Sequence, residues 1–175
     1  MMMHKIVVYF HGYGSSANSD KVQQLRAAGL ETHSWDIDIN TTVSLPELGR
    51  KIDSMLLDKM HEPCEIFFVG TSLGAWYAYT LGQMYGIKTV LINPAYNPKE
   101  SLAKYGIDEL IRLSYFTDLK FAANQKVFIG TADTVIDFAA VDFNGADVTY
   151  IEGGDHRFNK EFHHVIDYIK NFEVQ

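Results

Sequence analysis

At 175 residues the chain is long enough to bury about 70% of the surface its unfolded form would expose, which favours one domain over residues 1–175. Hydrophobic residues make up 47% and charged residues 21%, a globular composition that excludes an intrinsically disordered chain. A net charge of −7, with Lys and Arg scattered singly, argues against a nucleic-acid partner held by phosphate neutralisation.

Cys64 is the single cysteine, so there is no internal disulfide and no cysteine-rich zinc site, as suits a reducing compartment. The opening MMMHKIVVYF has too short an apolar run for a signal peptide. No stretch approaches the roughly 18 apolar residues of a membrane span. The expectation is a soluble, cytoplasmic protein with no membrane partner, its oligomeric state left open.

The elements alternate along the chain. Lys5–Phe10 (KIVVYF) reads as a buried strand, and Phe10-His11-Gly12-Tyr13-Gly14-Ser15-Ser16 as the loop that leaves it. Ser19–Ala28 has helical spacing and ends at Gly29, a plausible cap. Thr32–Ile37 is the second strand. Leu45–Met60 then places Leu48, Ile52, Met55, Leu56 and Met60 at three- and four-residue spacing, the stripe of an amphipathic helix. Glu65–Val69 is a third strand, running through Gly70-Thr71-Ser72-Leu73-Gly74 into a helix, Leu73–Tyr85, that stops at Gly86.

Lys88–Ile92 is the fourth strand. Residues 94–124, with Pro94, Pro98 and several aromatic residues, read as a small helical excursion over the sheet edge rather than a second domain. Lys126–Gly130 and Asp147–Ile151 complete the strands, and Lys160–Asn171 puts Phe162, Val165, Ile166 and Ile169 on one helical face. Strands that are apolar throughout belong in sheets covered on both faces. The fold class expected is α/β: a mostly parallel sheet of about six strands with helices on both faces.

In such sheets ligands sit beyond the carboxyl ends of the strands. Ser72 falls there, between a strand and a helix, in the Gly-x-Ser-x-Gly setting of a nucleophile elbow. Glycines at positions 70 and 74 would let strand and helix crowd the turn while the hydroxyl stays exposed. A serine needs a base, and the base an orienting acid. Asp133 follows the fifth strand and His156 the sixth, the chain order that this fold requires. Asp137 remains a rival to Asp133 as the acid. His163 and His164 lie within the last helical pattern, and His4, His33 and His61 have no evident partner. No recognised metal-ligand spacing occurs.

Oxyanion donors are expected from the backbone amide of Leu73, after the nucleophile, and that of Tyr13, in the loop after the first strand. His11 reads as a buried histidine that braces this loop. Tyr96, Tyr105, Tyr115 and Phe116 fall in the excursion, where a lid would lie, and suggest an apolar acyl slot too short for a long lipid chain.

The chain resembles an α/β-hydrolase, and more closely the compact YqiA-type esterases of bacteria. The residues that carry the resemblance are His11-Gly12-Tyr13 with Ser15-Ser16, Val69-Gly70-Thr71-Ser72-Leu73-Gly74, Asn93-Pro94-Ala95, Asp133 with Val135 and Asp137, and Ile151-Glu152-Gly153-Gly154-Asp155-His156-Arg157-Phe158. The resemblance implies a Ser72 nucleophile, Asp133 acid and His156 base, and hydrolysis of short acyl esters.

Trp76, just beyond the elbow, and Tyr96, after Asn93-Pro94-Ala95, are the expected substrate contacts. The function expected is a serine hydrolase of small carboxylic esters or thioesters, working without metal or organic cofactor. A peptidase or lactonase would share every catalytic part. The alternative is a binding protein on the same scaffold that recognises an acyl ligand or a protein partner without turning it over.

Overall fold

The structure, a computed structural model, describes residues 3–174, so the outermost residues of the expected 1–175 span lie outside it. Six strands form one sheet in the order β2-β1-β3-β4-β5-β6. They are β1 (His4–Phe10), β2 (Glu31–Ser34), β3 (Cys64–Thr71), β4 (Lys88–Ile92), β5 (Gln125–Gly130) and β6 (Asp147–Ile151). Every neighbouring pair is parallel, so the sheet is wholly and not merely mostly parallel.

The helices are α1 (Asp20–Ala27), α2 (Ser44–Lys59), α3 (Leu73–Tyr85), α4 (Pro98–Ser101), α5 (Glu109–Tyr115) and α6 (His163–Asn171). Each strand alternates its side chains between two cores. Ile6, Val8 and Phe10 of β1 join Phe68, Leu91, Val127 and the helices α2 and α3. Val7 and Tyr9 join Phe67, Val69, Val90 and the apolar faces of α1 and α6 on the opposite side. The near-continuous apolar runs of the central strands follow from burial on both faces.

Local chemistry fixes the helix ends. The Ser19 hydroxyl accepts from the Val22 amide at the start of α1. Gly29, at φ +81°, closes it, with the Leu30 amide returning to the Leu25 carbonyl. Strand β2 is shorter than its pattern predicts. It lies at the sheet edge, and the Ile37 amide turns away to donate to His11 Nε2 at 3.0 Å. Helix α6 starts later than its spacing suggests, because 160–162 form turns that seat the buried Phe162.

His4 and His33, partnerless in the sequence reading, flank Glu31 at 2.7 and 2.8 Å, with Lys59 on the same carboxylate at 3.1 Å. Partial burial would raise the Glu31 carboxyl, but the hydrogen bonds from His4, His33 and Lys59 outweigh it and hold the group down at about 2.

Helix α3 packs so closely on the sheet that two glycines are obligatory. A Cβ on Gly74 would fall far inside contact distance of the Phe10 and His11 carbonyl oxygens, and one on Gly70 would strike the Gly74 backbone. Gly74→Ala is therefore expected to lower unfolding stability by more than about 4 kcal/mol, in the range where a domain fails to fold. Gly29→Ala meets open space and only a left-handed backbone, so its penalty is about 1–2 kcal/mol. Chemical denaturation midpoints of the two variants test the contrast.

Candidate active site

The turn from β3 to α3 holds Ser72 at φ 56°, ψ −119°, a backbone conformation that non-glycine residues seldom adopt. Serine before a helix usually caps it with its own hydroxyl. Here the Ser72 side chain makes no capping bond, and its Oγ stands 3.0 Å from His156 Nε2 instead. Its backbone is tied on both sides: the Ser72 amide donates to the Ile92 carbonyl at 2.9 Å, and the Ser72 carbonyl accepts from the Ala95 amide at 3.0 Å.

His156 lies on the loop after β6. Its Nδ1–H donates to Asp133 Oδ2 at 2.8 Å, which leaves Nε2 as the acceptor that faces Ser72. The Asp133 side chain is almost wholly buried. Its other oxygen accepts from the amides of Val135 at 2.7 Å and Ile136 at 3.0 Å. Burial pushes the Asp133 carboxyl upward, but the His156 bond and these two amides overcome it and hold the group below its ordinary value. The Asp137 carboxylate accepts from the Ala139 amide, whereas the hydrogen bond to His156 Nδ1 is made by Asp133.

The first-strand loop curls beside Ser72, with Gly12 so close that a Cβ would stand 3.2 Å from the Thr71 carbonyl oxygen. His11 braces the loop as the sequence suggests: it is buried, donates from Nδ1 to the Gly12 carbonyl and accepts at Nε2 from Ile37. The Leu73 amide is the first of α3 and so lacks an intrahelical acceptor. A cleft of about 470 Å³ opens over Ser72 and His156. Its walls include Tyr13, Lys21, Leu102, Tyr105, Val135 and Arg157. The Tyr13 and Tyr105 rings stack across it at 4.8 Å.

Two expected substrate contacts lie elsewhere. Trp76 is buried, its ring against Phe116 at 4.7 Å and its Nε1–H donated to the Thr117 carbonyl at 2.8 Å. Helical rotation carries it from the elbow to the underside of the 94–124 segment, away from the cleft. Tyr96 donates its hydroxyl to the Asp137 carbonyl at 3.0 Å and packs on Phe138, so it braces the root of that segment. Of the aromatic residues read as an acyl slot, Tyr105 lines the cleft, while Tyr115 and Phe116 pack around Trp76.

The sequence reading gave no role to two polar residues at the site. Asn93, fully buried, and Lys21, almost so, both reach the loop that carries His156.

A family model described as "Uncharacterised protein family (UPF0227)" matches residues 6–174. The chain belongs to the UPF0227 family. This is the YqiA family to which the sequence motifs point. A UPF0227 protein of Shewanella sediminis is 30% identical over 100 residues, an aligned stretch that covers 55% of this chain and 55% of that protein. The chain thus spans about half the length of the curated relatives it matches.

Among solved structures, Est1E of Butyrivibrio proteoclasticus with ferulic acid bound superposes with a TM-score of 0.70 at 16% identity, covering 97% of this chain and 88% of that one. A Pyrococcus furiosus esterase gives 0.67 at 19% identity, covering 98% and 83%. The fold is that of the α/β-hydrolases.

Because the Asp133 carboxyl is depressed in the folded protein, its contribution to stability is complete above the ordinary carboxylate value and fades as pH falls through the folded value. Asp133→Asn is therefore expected to melt below the parent at neutral pH. The gap should close as pH drops below about 4, where the unfolded carboxyl takes up its proton. Paired melting curves across that range test it.

Proposed function

We propose that the chain is a serine hydrolase acting on small carboxylic esters or thioesters. The observation that carries this reading is the continuous relay from Ser72 Oγ to His156 Nε2 at 3.0 Å and from His156 Nδ1 to Asp133 Oδ2 at 2.8 Å. The relay starts on a strained turn whose hydroxyl is withheld from helix capping.

Ser72 attacks the acyl carbon as His156 Nε2 takes its proton. Asp133 holds the imidazole in the tautomer that leaves Nε2 free and stabilises the imidazolium that forms. Charge moves to the carbonyl oxygen, which the Tyr13 and Leu73 amides bind with the positive end of α3 behind them. His156 then protonates the leaving group. Water, activated by the same nitrogen, cleaves the acyl-enzyme. General-base help supplies about 10²–10⁴ in rate. Each oxyanion donor supplies on the order of 10²–10³.

The cleft of about 470 Å³ is of a size that takes small ligands. Segment 94–124 acts as its lid, with Leu102 and Tyr105 facing the substrate. The esterases among the structural neighbours support the reaction class.

In the experiment, the parent and Ser72→Ala are treated with a fluorophosphonate probe and assayed with p-nitrophenyl acetate. Covalent labelling and turnover in the parent, both abolished in a Ser72→Ala variant that keeps its melting temperature, is the expected result. Equal turnover by the two proteins would refute the assignment, and a folded parent that takes no label would favour a binding protein.

A further inference from the structure

The loop that carries His156 has no regular structure, yet Nε2 must stay within reach of Ser72. Its first half is held by backbone bonds: the Ala132 amide donates to the Gly154 carbonyl at 2.9 Å and the Gly154 amide to Ile151 at 3.1 Å. From Asp155 onward the support changes. Three consecutive carbonyls, those of Asp155, His156 and Arg157, accept from two side chains that belong to other elements.

Asn93 supplies two of these bonds. From the end of β4 its Nδ2 donates to the Asp155 carbonyl at 3.0 Å and the His156 carbonyl at 3.1 Å. Its Oδ1 accepts from the Gly130 amide at 2.8 Å, and its own amide donates to the Phe128 carbonyl at 2.9 Å. The Gly130 carbonyl in turn accepts from the Asp133 amide at 3.2 Å. Two residues on, the Ala95 amide holds the Ser72 carbonyl. The turn 93–95 therefore touches the supports of all three relay residues. Asn93 adopts φ 41°, which Asn tolerates better than most side chains. An aspartate there would accept from Gly130 but could not donate to the carbonyls.

Lys21 approaches from α1. Its Nζ donates to the Arg157 carbonyl and, at 2.7 Å, to Asn159 Oδ1. Burial pushes this amine down to about 8, against the pull of Asp20, Asp155 and Glu161, with Arg157 adding to the fall. A neutral amine keeps two N–H donors for the same two acceptors, so the brace survives deprotonation.

We propose that Asn93 and Lys21 are positioning residues for His156, gripping three successive carbonyls of its loop so that Nε2 is held against Ser72. The proposal rests on the serine-hydrolase reading. A displacement of about 1 Å at the base is enough to lose about 10² in rate.

The test compares the parent with N93D, N93A and K21M on p-nitrophenyl acetate across pH, with melting temperatures measured in parallel. N93D keeps the shape and the Gly130 acceptor and loses the donors. At about pH 8 its kcat should fall about 10²-fold with KM within about twofold of the parent. Burial and the facing carbonyls raise the new carboxyl, so it should take up a proton on acidification and regain one donor. The ratio of N93D to parent kcat should then climb towards about pH 6, whereas the N93A ratio stays flat. K21M keeps the aliphatic stem and should lose about tenfold in kcat at constant KM. Folded variants that match the parent's kcat, a loss confined to KM, or an N93D ratio that does not change with pH would each overturn the proposal. If N93D does not fold, K21M decides. A parent that neither labels at Ser72 nor turns over substrate sinks the serine-hydrolase reading itself, whereas an active parent with unaffected variants sinks the positioning role alone.

Discussion

The backbone-to-backbone contact of α3 with the end of β1 governs what the rest of the molecule can do. Gly74 lies against the Phe10 and His11 carbonyls with no room for a side chain, and Gly70 lies as tightly against Gly74. A helix that starts this close to the sheet forces the chain through a sharp reversal, and Ser72 takes it at φ 56°. Such a conformation persists only where its surroundings over-determine it. Two strand-end hydrogen bonds, to Ile92 and from Ala95, do so here. The result is a hydroxyl withheld from helix capping, beside the first amide of α3 at Leu73.

Much of this was legible in the sequence because its causes are local. Apolar runs located all six strands within a few residues, and Gly29 and Gly86 marked helix ends by the left-handed backbone they supply. The spacing of Gly70, Ser72 and Gly74 carries the elbow, and the order of Ser72, Asp133 and His156 carries the relay. What stayed hidden depends on partners remote in the chain. Asn93 bonds to groups 37, 62 and 63 residues away, so no window around it signals a clasp. Lys21 looks like an ordinary charged residue in a first helical turn until its partners at 157 and 159 arrive. Trp76 and Tyr96 were misplaced for a related reason. Nearness in sequence to the elbow and to the β4 turn suggested the cleft, while the rotation of α3 and the hydroxyl bond to Asp137 direct them into packing.

The 94–124 segment divides its labour accordingly. Its return leg is fixed to α3 by Trp76 on Thr117 and by Tyr79 on Lys120. Its outer leg, α5, buries none of its residues and exposes Leu110 and Leu113. Ahead of α5, Leu102 and Tyr105 reach the cleft.

In the proposed reaction Ser72 Oγ, His156 Nε2 and the Tyr13 and Leu73 amides converge on one reacting carbon and its oxygen. A crystal structure of the protein after reaction with a small alkyl fluorophosphonate examines that convergence directly. Phosphorus bonded to Ser72 Oγ, with the phosphonyl oxygen about 2.7–3.1 Å from both amides, is the expected result. Phosphorus on another residue, or an oxygen turned away from those amides, would contradict it.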